Sequence, residues 1–427
     1  TIDATDGGRT ARTSLSYEGE RTLADGRFKL EAYAIRSRLD LFSNFTYFLE
    51  NPVDGDQFEQ SERRTVAGLA ASRSWTTPLL GRDSTTTIGL QLRHDRLDLV
   101  GLYRTVARER VETTQQSTVR STGIGLYADN AIQWTPWFRS VAGVRADRVD
   151  HTVRSSIAAN SGERSASLAS PKLSLIFGPW AKTEYFVNAG SGFHSNDARG
   201  TVATVAAKDP GGPSIAPVNP LVRSKGGELG LRTELVPGLQ SSLSLWALQL
   251  DSELVFVGDA GETSPSRASR RYGIEWNNHH VATRWLLLDA DLAVSRARFT
   301  GTDPADPGLG RHVPGAVETV ASFGATVTGL GRWSGQFQWR YFGPRALDED
   351  NRSRSKATAL AYLRAGYQIA PQVKVSLDVF NLFDRRGSDI DYRYASRLAG
   401  EPAEGVDDVH FHPVEPRSVR VTLSANF

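Results

Sequence analysis

Strand-length runs of alternating apolar and polar residues recur from one end of this chain to the other, joined by links that are alternately short and long. Short links fall near residues 20–26, 76–83, 135–136, 178–182, 236–238, 277–281, 329–331 and 370–371. Long polar links fall between them, near 51–60, 108–117, 152–164, 194–223, 258–266, 301–314, 343–356 and 385–416. Strands joined by tight turns run antiparallel, so this rhythm predicts an up-and-down meander with turns at one rim and large loops at the other. Counting the runs gives about seventeen strands. The clearest cover 239–257, 359–369, 373–384 and 417–427. In the last, Val419, Val421, Leu423, Ala425 and Phe427 face one way and Ser418, Arg420, Thr422, Ser424 and Asn426 the other.

Such a strand is apolar on one face only, which suits a wall with lipid outside and a polar lumen inside. No run of 18 apolar residues exists, so helical membrane spans are excluded; a β-barrel escapes that test because only alternate residues meet lipid. Nothing in the composition divides the 427 residues, and one partial barrel domain over 1–427 is the expectation. The 50 basic and 48 acidic residues nearly cancel without blocks of like charge, so nucleic acid is not an expected partner. Cysteine is absent, which removes disulfides, thiolate metal sites and cysteine nucleophiles. Methionine is absent too, even at position 1, so the chain is expected to begin inside a longer precursor or after processing. Trp75, Trp134, Trp137, Trp180, Trp276, Trp285 and Trp333 all lie close to the expected short links, as an aromatic girdle at a membrane interface requires.

Near the end, Asn381, Leu382, Phe383 and Asp384 close a strand; about thirty loop residues follow, then Pro416 and Arg417 open the last strand, which ends on Phe427. This arrangement resembles the C-terminal signature of TonB-dependent outer-membrane receptors. The segments Gly192-Phe193-His194-Ser195-Asn196-Asp197-Ala198-Arg199-Gly200 and Pro220-Leu221-Val222-Arg223, running on to Gly230, look like the same family. The resemblance implies an all-β transmembrane barrel of about 22 strands in the outer membrane of a Gram-negative bacterium, among lipid and lipopolysaccharide. It implies a plug domain of the same precursor, import of a scarce small-molecule ligand such as a siderophore or other metal chelate, and a periplasmic energy-transducing TonB protein that grips a TonB box before the plug. This sequence holds neither plug nor TonB box, and about five strands fewer than that barrel. For Phe427 the resemblance implies recognition by the assembly machinery.

Candidate ligand contacts are His194, Asn196, Asp197 and Arg199, packed together where a long loop begins; the alternative is that Asn-Asp and Gly simply shape a turn. His410 and His412, at alternate positions, put two imidazoles on one strand face without a third ligand, so no metal site is expected. Asp303, Asp306 and the run Asp348, Glu349, Asp350, Asn351 offer oxygens to a hard cation or are solvated loop charge. Strand arginines such as Arg93, Arg145, Arg148, Arg340 and Arg364 attract anionic chelates if they face the lumen, or pair with carboxylates. Hydrolase, zinc-protease, P-loop and complete dinucleotide motifs are all missing, so the expected activity is binding, without catalysis or cofactor. The rival readings are a passive porin of about 16 to 18 strands and a secreted β-protein for adhesion.

Overall fold

A computed structural model describes residues 3–257, 262–265, 267–302 and 307–426. The strands are β1 (Gly7–Leu23), β2 (Gly26–Ser43), β3 (Phe58–Leu79), β4 (Arg82–Val106), β5 (Glu109–Thr135), β6 (Phe138–Ser155) and β7 (Gly162–Trp180). They continue as β8 (Thr183–Ser195), β9 (Leu221–Thr233), β10 (Leu239–Leu250), β11 (Leu254–Val257), β12 (Glu262–Pro265), β13 (Ser269–Thr283) and β14 (Leu286–Phe299). The last are β15 (Thr319–Leu330), β16 (Trp333–Phe342), β17 (Thr358–Ala370), β18 (Val373–Phe380), β19 (Ser388–Ser396), β20 (Val406–Pro413) and β21 (Ser418–Ala425). Seventeen of them form one antiparallel sheet in chain order, from β1 to β10, then β13 to β18, then β21. The pairs β11–β12 and β19–β20 are separate hairpins inside long loops. The expected meander of about seventeen strands is therefore present.

The register carries one apolar face across the whole sheet. Val421 lies opposite Leu377, Phe337 opposite Leu363, Phe323 opposite Trp339, Leu292 opposite Trp276, and Leu245 opposite both Ile274 and Leu229. The row continues through Val187 to Leu173, Val144 and Leu126, and ends at Tyr17 of β1. Most of these side chains are exposed, Val421 and its strand neighbour Leu423 at 68% each, and they point away from the polar face. An apolar belt of this extent has no stable place in water; it is the face that hydrocarbon covers in a membrane barrel.

The sheet is rolled. Loop 44–57, after β2, meets the segment after β19: the Phe48 amide donates to the Arg397 carbonyl at 3.0 Å, and the Arg397 amide to the Thr46 carbonyl at 3.0 Å. The two ends of the sheet thus come together at the long-loop rim, although β1 and β21 are its edges and pair on one side only among the described residues.

Four expectations change. Link 108–117 is no loop: β4 and β5 join through Ala107 and Arg108, both at positive φ, and the long hairpin projects past its neighbours. Residues 277–281 are no turn, because Asn277 and His279 are polar lumen-facing positions of β13 and the turn lies at Arg284 and Trp285. Trp276 is consequently mid-strand and does not belong to the rim girdle. The expected strand 239–257 stops at Leu250, and 373–384 stops at Phe380.

Candidate functional site

The polar face lines the lumen, and its charges are mostly paired there. Arg145 binds Asp147 at 2.7 Å and donates to Gln91 at 2.8 Å; Arg93 binds Asp95 at 2.7 Å and Arg364 binds Asp378 at 2.5 Å. Arg340 lies on the same face, beside Gln336 and Gln338, and forms no ion pair among the described residues. Arg148 is a correction to the lumen reading, because it lies opposite Ile124 on the outward face and pairs with Asp150 at 2.7 Å. Near the short-turn rim a polar recess of about 740 Å³ is lined by Glu184, Arg232, Gln240, His279 and Asp289 among others.

At the other rim the loop of residues 196–220 folds inward. Its Ala198 and Val202 pack on Leu97, Val100, Val119 and Val153 of β4 to β6, forming the largest buried apolar cluster among the described residues. Asn160, 2% exposed, fastens it: its side-chain oxygen accepts from the amides of Thr204 and Val205, and its nitrogen donates to the Val205 carbonyl at 3.0 Å. The Thr201 hydroxyl, wholly buried, donates to the Ala198 carbonyl at 2.7 Å.

Of the four candidate contacts, the structure joins two. Arg199 and Asp197 form a bidentate pair at 2.8 and 3.0 Å, and the Arg199 amide also donates to Asp197 at 2.8 Å. Burial raises the Asp197 carboxyl, but the Arg199 guanidinium more than offsets this and holds it below the ordinary 3.8. Asn196 is buried and its side chain donates to the Asn219 carbonyl at 2.6 Å, so it closes the base of the loop. His194 stands on the lumen face of β8 opposite Val222, with its buried Nε2 unpartnered. Sequence reasoning missed His151 of β6, 5% exposed, whose two ring nitrogens find no hydrogen-bond partner. The alternation that puts Arg145 and Asp147 on the lumen face puts His151 there too.

The remaining candidates hold loops together. Asp348 pairs with Arg393 at 2.6 Å, Glu349 with Arg267, Asp350 accepts from the Gly310 amide at 2.8 Å, and Asn351 accepts from Arg354 at 2.7 Å. Asp303, Asp306 and Phe427 lie outside the described residues. His410 stacks on Tyr394 at 3.8 Å between centroids, and His412 lies opposite Ile390. No group of three His, Asp or Glu suited to a metal occurs among the described residues.

Asn381, Leu382, Phe383 and Asp384 occupy the point where the wall gives way to the β19–β20 excursion. Asn381, 3% exposed and at φ 47°, donates to the carbonyls of Arg385 and Glu415 and accepts from the Arg385 amide. Asp384 accepts from the Arg417 amide at 3.0 Å, and the Leu382 amide donates to the Ala361 carbonyl at 2.8 Å. Phe383 is 62% exposed.

A rolled antiparallel meander with an apolar belt outside, a charged lining inside and a loop folded into the lumen defines a β-barrel membrane protein of the transport-receptor type. The chain belongs to the TonB-dependent receptors: the family model for the TonB dependent receptor-like β-barrel matches residues 1–382. It is similar in fold to the ferric yersiniabactin uptake receptor FyuA of Yersinia pestis, with 18% identity, a TM-score of 0.71, and 99% of this chain and 62% of that one covered. The closed form of the ferric-catecholate import receptor Fiu of E. coli K12 gives 12%, 0.73, 99% and 65%. The pyoverdine receptor FpvA of Pseudomonas aeruginosa PAO1, bound to pyoverdine, gives 12%, 0.73, 99% and 62%. The chain thus spans less than two thirds of each of these structures. No curated protein sequence matches it. The family is one of transport receptors of the Gram-negative outer membrane.

Proposed function

We propose that this chain forms the wall and outer loops of a receptor that imports a scarce ligand, such as a siderophore or other metal chelate, by TonB-coupled transport across the outer membrane. The observation that carries the reading is the loop of residues 196–220, which folds inward onto β4 to β6 and holds Arg199 and Asp197 as an ion pair within it. A guanidinium in such a place recognises carboxylate, catecholate or hydroxamate oxygens of an anionic chelate. Several similar solved structures are described as ferric-chelate receptors, which supports the ligand class. The polar recess by His279 and Asp289 is where a plug domain of the same precursor rests in this reading. The passive porin is disfavoured by the family match.

Growth and uptake of a deletion strain on a panel of iron chelates, cobalamin and oligosaccharides tests the proposal. Loss of uptake of one ligand class, also abolished by collapsing the proton gradient, is expected. Uptake of many unrelated small solutes, indifferent to the gradient, would make the protein a diffusion pore.

A further inference from the structure

On the outward face the register sets Arg36, Thr65, Arg96, Arg120 and Thr152 side by side on five successive strands, β2 to β6. Two residues further down each strand come Ala34, Ala67, His94, Thr122 and Asp150; two more, and the row is Ala32, Leu69, Leu92 and Ile124 on β2 to β5, with Arg148 on β6. On β2 to β5 the change from apolar belt to arginine row therefore takes about 13 Å of strand, at 3.3 Å per residue. That distance puts the arginines at the depth of lipid headgroups when the belt lies in hydrocarbon.

The charges of this row are unbalanced. Arg96 and Arg120 are direct cross-strand partners, an arrangement that is destabilising for like charges unless an anion lies between them. Asp98 binds Arg96 at 2.6 Å, and Asp150 is taken by Arg148 at 2.7 Å. Arg120 and Arg154 have no carboxylate partner among the described residues. Arg96, Asp98, Thr118, Arg120, Thr152 and Arg154 border a cleft of about 140 Å³ that opens outward. Guanidinium forks match phosphate oxygens bidentately, and the two threonine hydroxyls supply further donors.

We infer that this cleft binds a phosphate of a glycolipid in the outer leaflet, whose acyl chains lie along the apolar belt directly below. The inference rests on the outer-membrane reading and adds to it a site on the outer wall, apart from the ligand path in the lumen. The same chemistry would hold free phosphate; what commits the site to a lipid is its continuity with the belt.

The full-length protein is reconstituted into phosphatidylcholine vesicles containing either bis-phosphorylated lipid A or its dephosphorylated form, and the lipid retained after extraction is counted by native mass spectrometry. Retention of the phosphorylated form about ten-fold above the other is expected, as loss of charge-assisted hydrogen bonds predicts. Arg120→Gln with Arg154→Gln is expected to abolish that preference while keeping heat-modifiable gel mobility, which certifies the fold. Equal retention of the two lipids, or an unchanged preference in the double variant, overturns the site and leaves the receptor reading intact. Displacement of the lipid by millimolar inorganic phosphate assigns the cleft to a soluble anion and overturns the lipid. Failure of the wild type to enter vesicles at all overturns the outer-membrane reading itself.

Discussion

The side-chain amide of Asn381 donates to the backbone carbonyl of Glu415 at 2.9 Å, joining residues 34 positions apart. With its bonds to Arg385, and with Asp384 on the Arg417 amide, it ties both ends of the β19–β20 excursion to one point of the wall. Only then do β18 and β21 meet in register, Phe380 opposite Ser418. Asn381→Ala is expected to lower barrel stability by about 2–3 kcal/mol, because buried partners are left unsatisfied. Asn381→Gly, which keeps the left-handed backbone, is expected to restore little of it. Denaturant midpoints of refolded protein measure both; a wild-type midpoint for Asn381→Ala would refute the tie.

Opposite faces of β21 are expected to answer differently to charge. Val421→Arg places a cation on the outward belt and is expected to cost about 2–4 kcal/mol in a bilayer. Thr422→Arg, on the lumen face beside Ser376, is expected to be nearly neutral. Comparable folding yields for the two variants in lipid vesicles would contradict the assignment of faces.

Asp197 offers a pH test with a definite sign. Its carboxyl is depressed by Arg199, so the stability it lends the loop is present above pH 3.8 and is lost as pH falls through the lower folded value. In Arg199→Ala the guanidinium's lowering effect is removed, the carboxyl moves up, and the stability that the ion pair lends the loop is lost throughout the range above pH 3.8. Limited proteolysis of loop 196–220 across pH 4 to 7 is expected to show a flat, protected profile in the wild type and weaker protection throughout that range in the variant. Identical profiles would mean that the pair does not govern the loop.

Asp6 behaves in the opposite way. Burial and the neighbouring Asp3 carboxylate push it up to about 6, next to the Arg108 side chain that donates to the Asp6 carbonyl at 2.9 Å. A carboxyl raised in the folded state takes up a proton on folding, so the stability it contributes is present in full below pH 3.8 and is lost as pH climbs through about 6. The difference in thermal midpoint between wild type and Asp6→Asn is expected to grow over that interval and level off above it. A constant difference would show that Asp6 titrates normally.

The meander and the strand count were readable because a strand crossing between lipid and a polar lumen must alternate, residue by residue, from Leu15 to Leu423. The two misplaced links show where that signal is ambiguous. Asn277 and His279 are polar for the lumen's sake and look like turn residues, while the Ala107-Arg108 turn has no glycine to announce it. The Asn196 side-chain nitrogen also donates to the Asn219 carbonyl, a tie across the base of the loop that its sequence does not announce.

Alternation is a local property, and by itself it determined the architecture and the outward apolar face; the family resemblance rested on the motif from Asn381 to Asp384 and the strand that follows Arg417. Tertiary structure alone decided what faces what: that loop 196–220 turns into the lumen, that Arg397 meets Thr46 and closes the outer rim, and that Arg96 stands beside Arg120. Those relations depend on register and on chain segments far apart in sequence. Period-two patterning fixes which face a residue takes, and carries no information about which distant residue shares it.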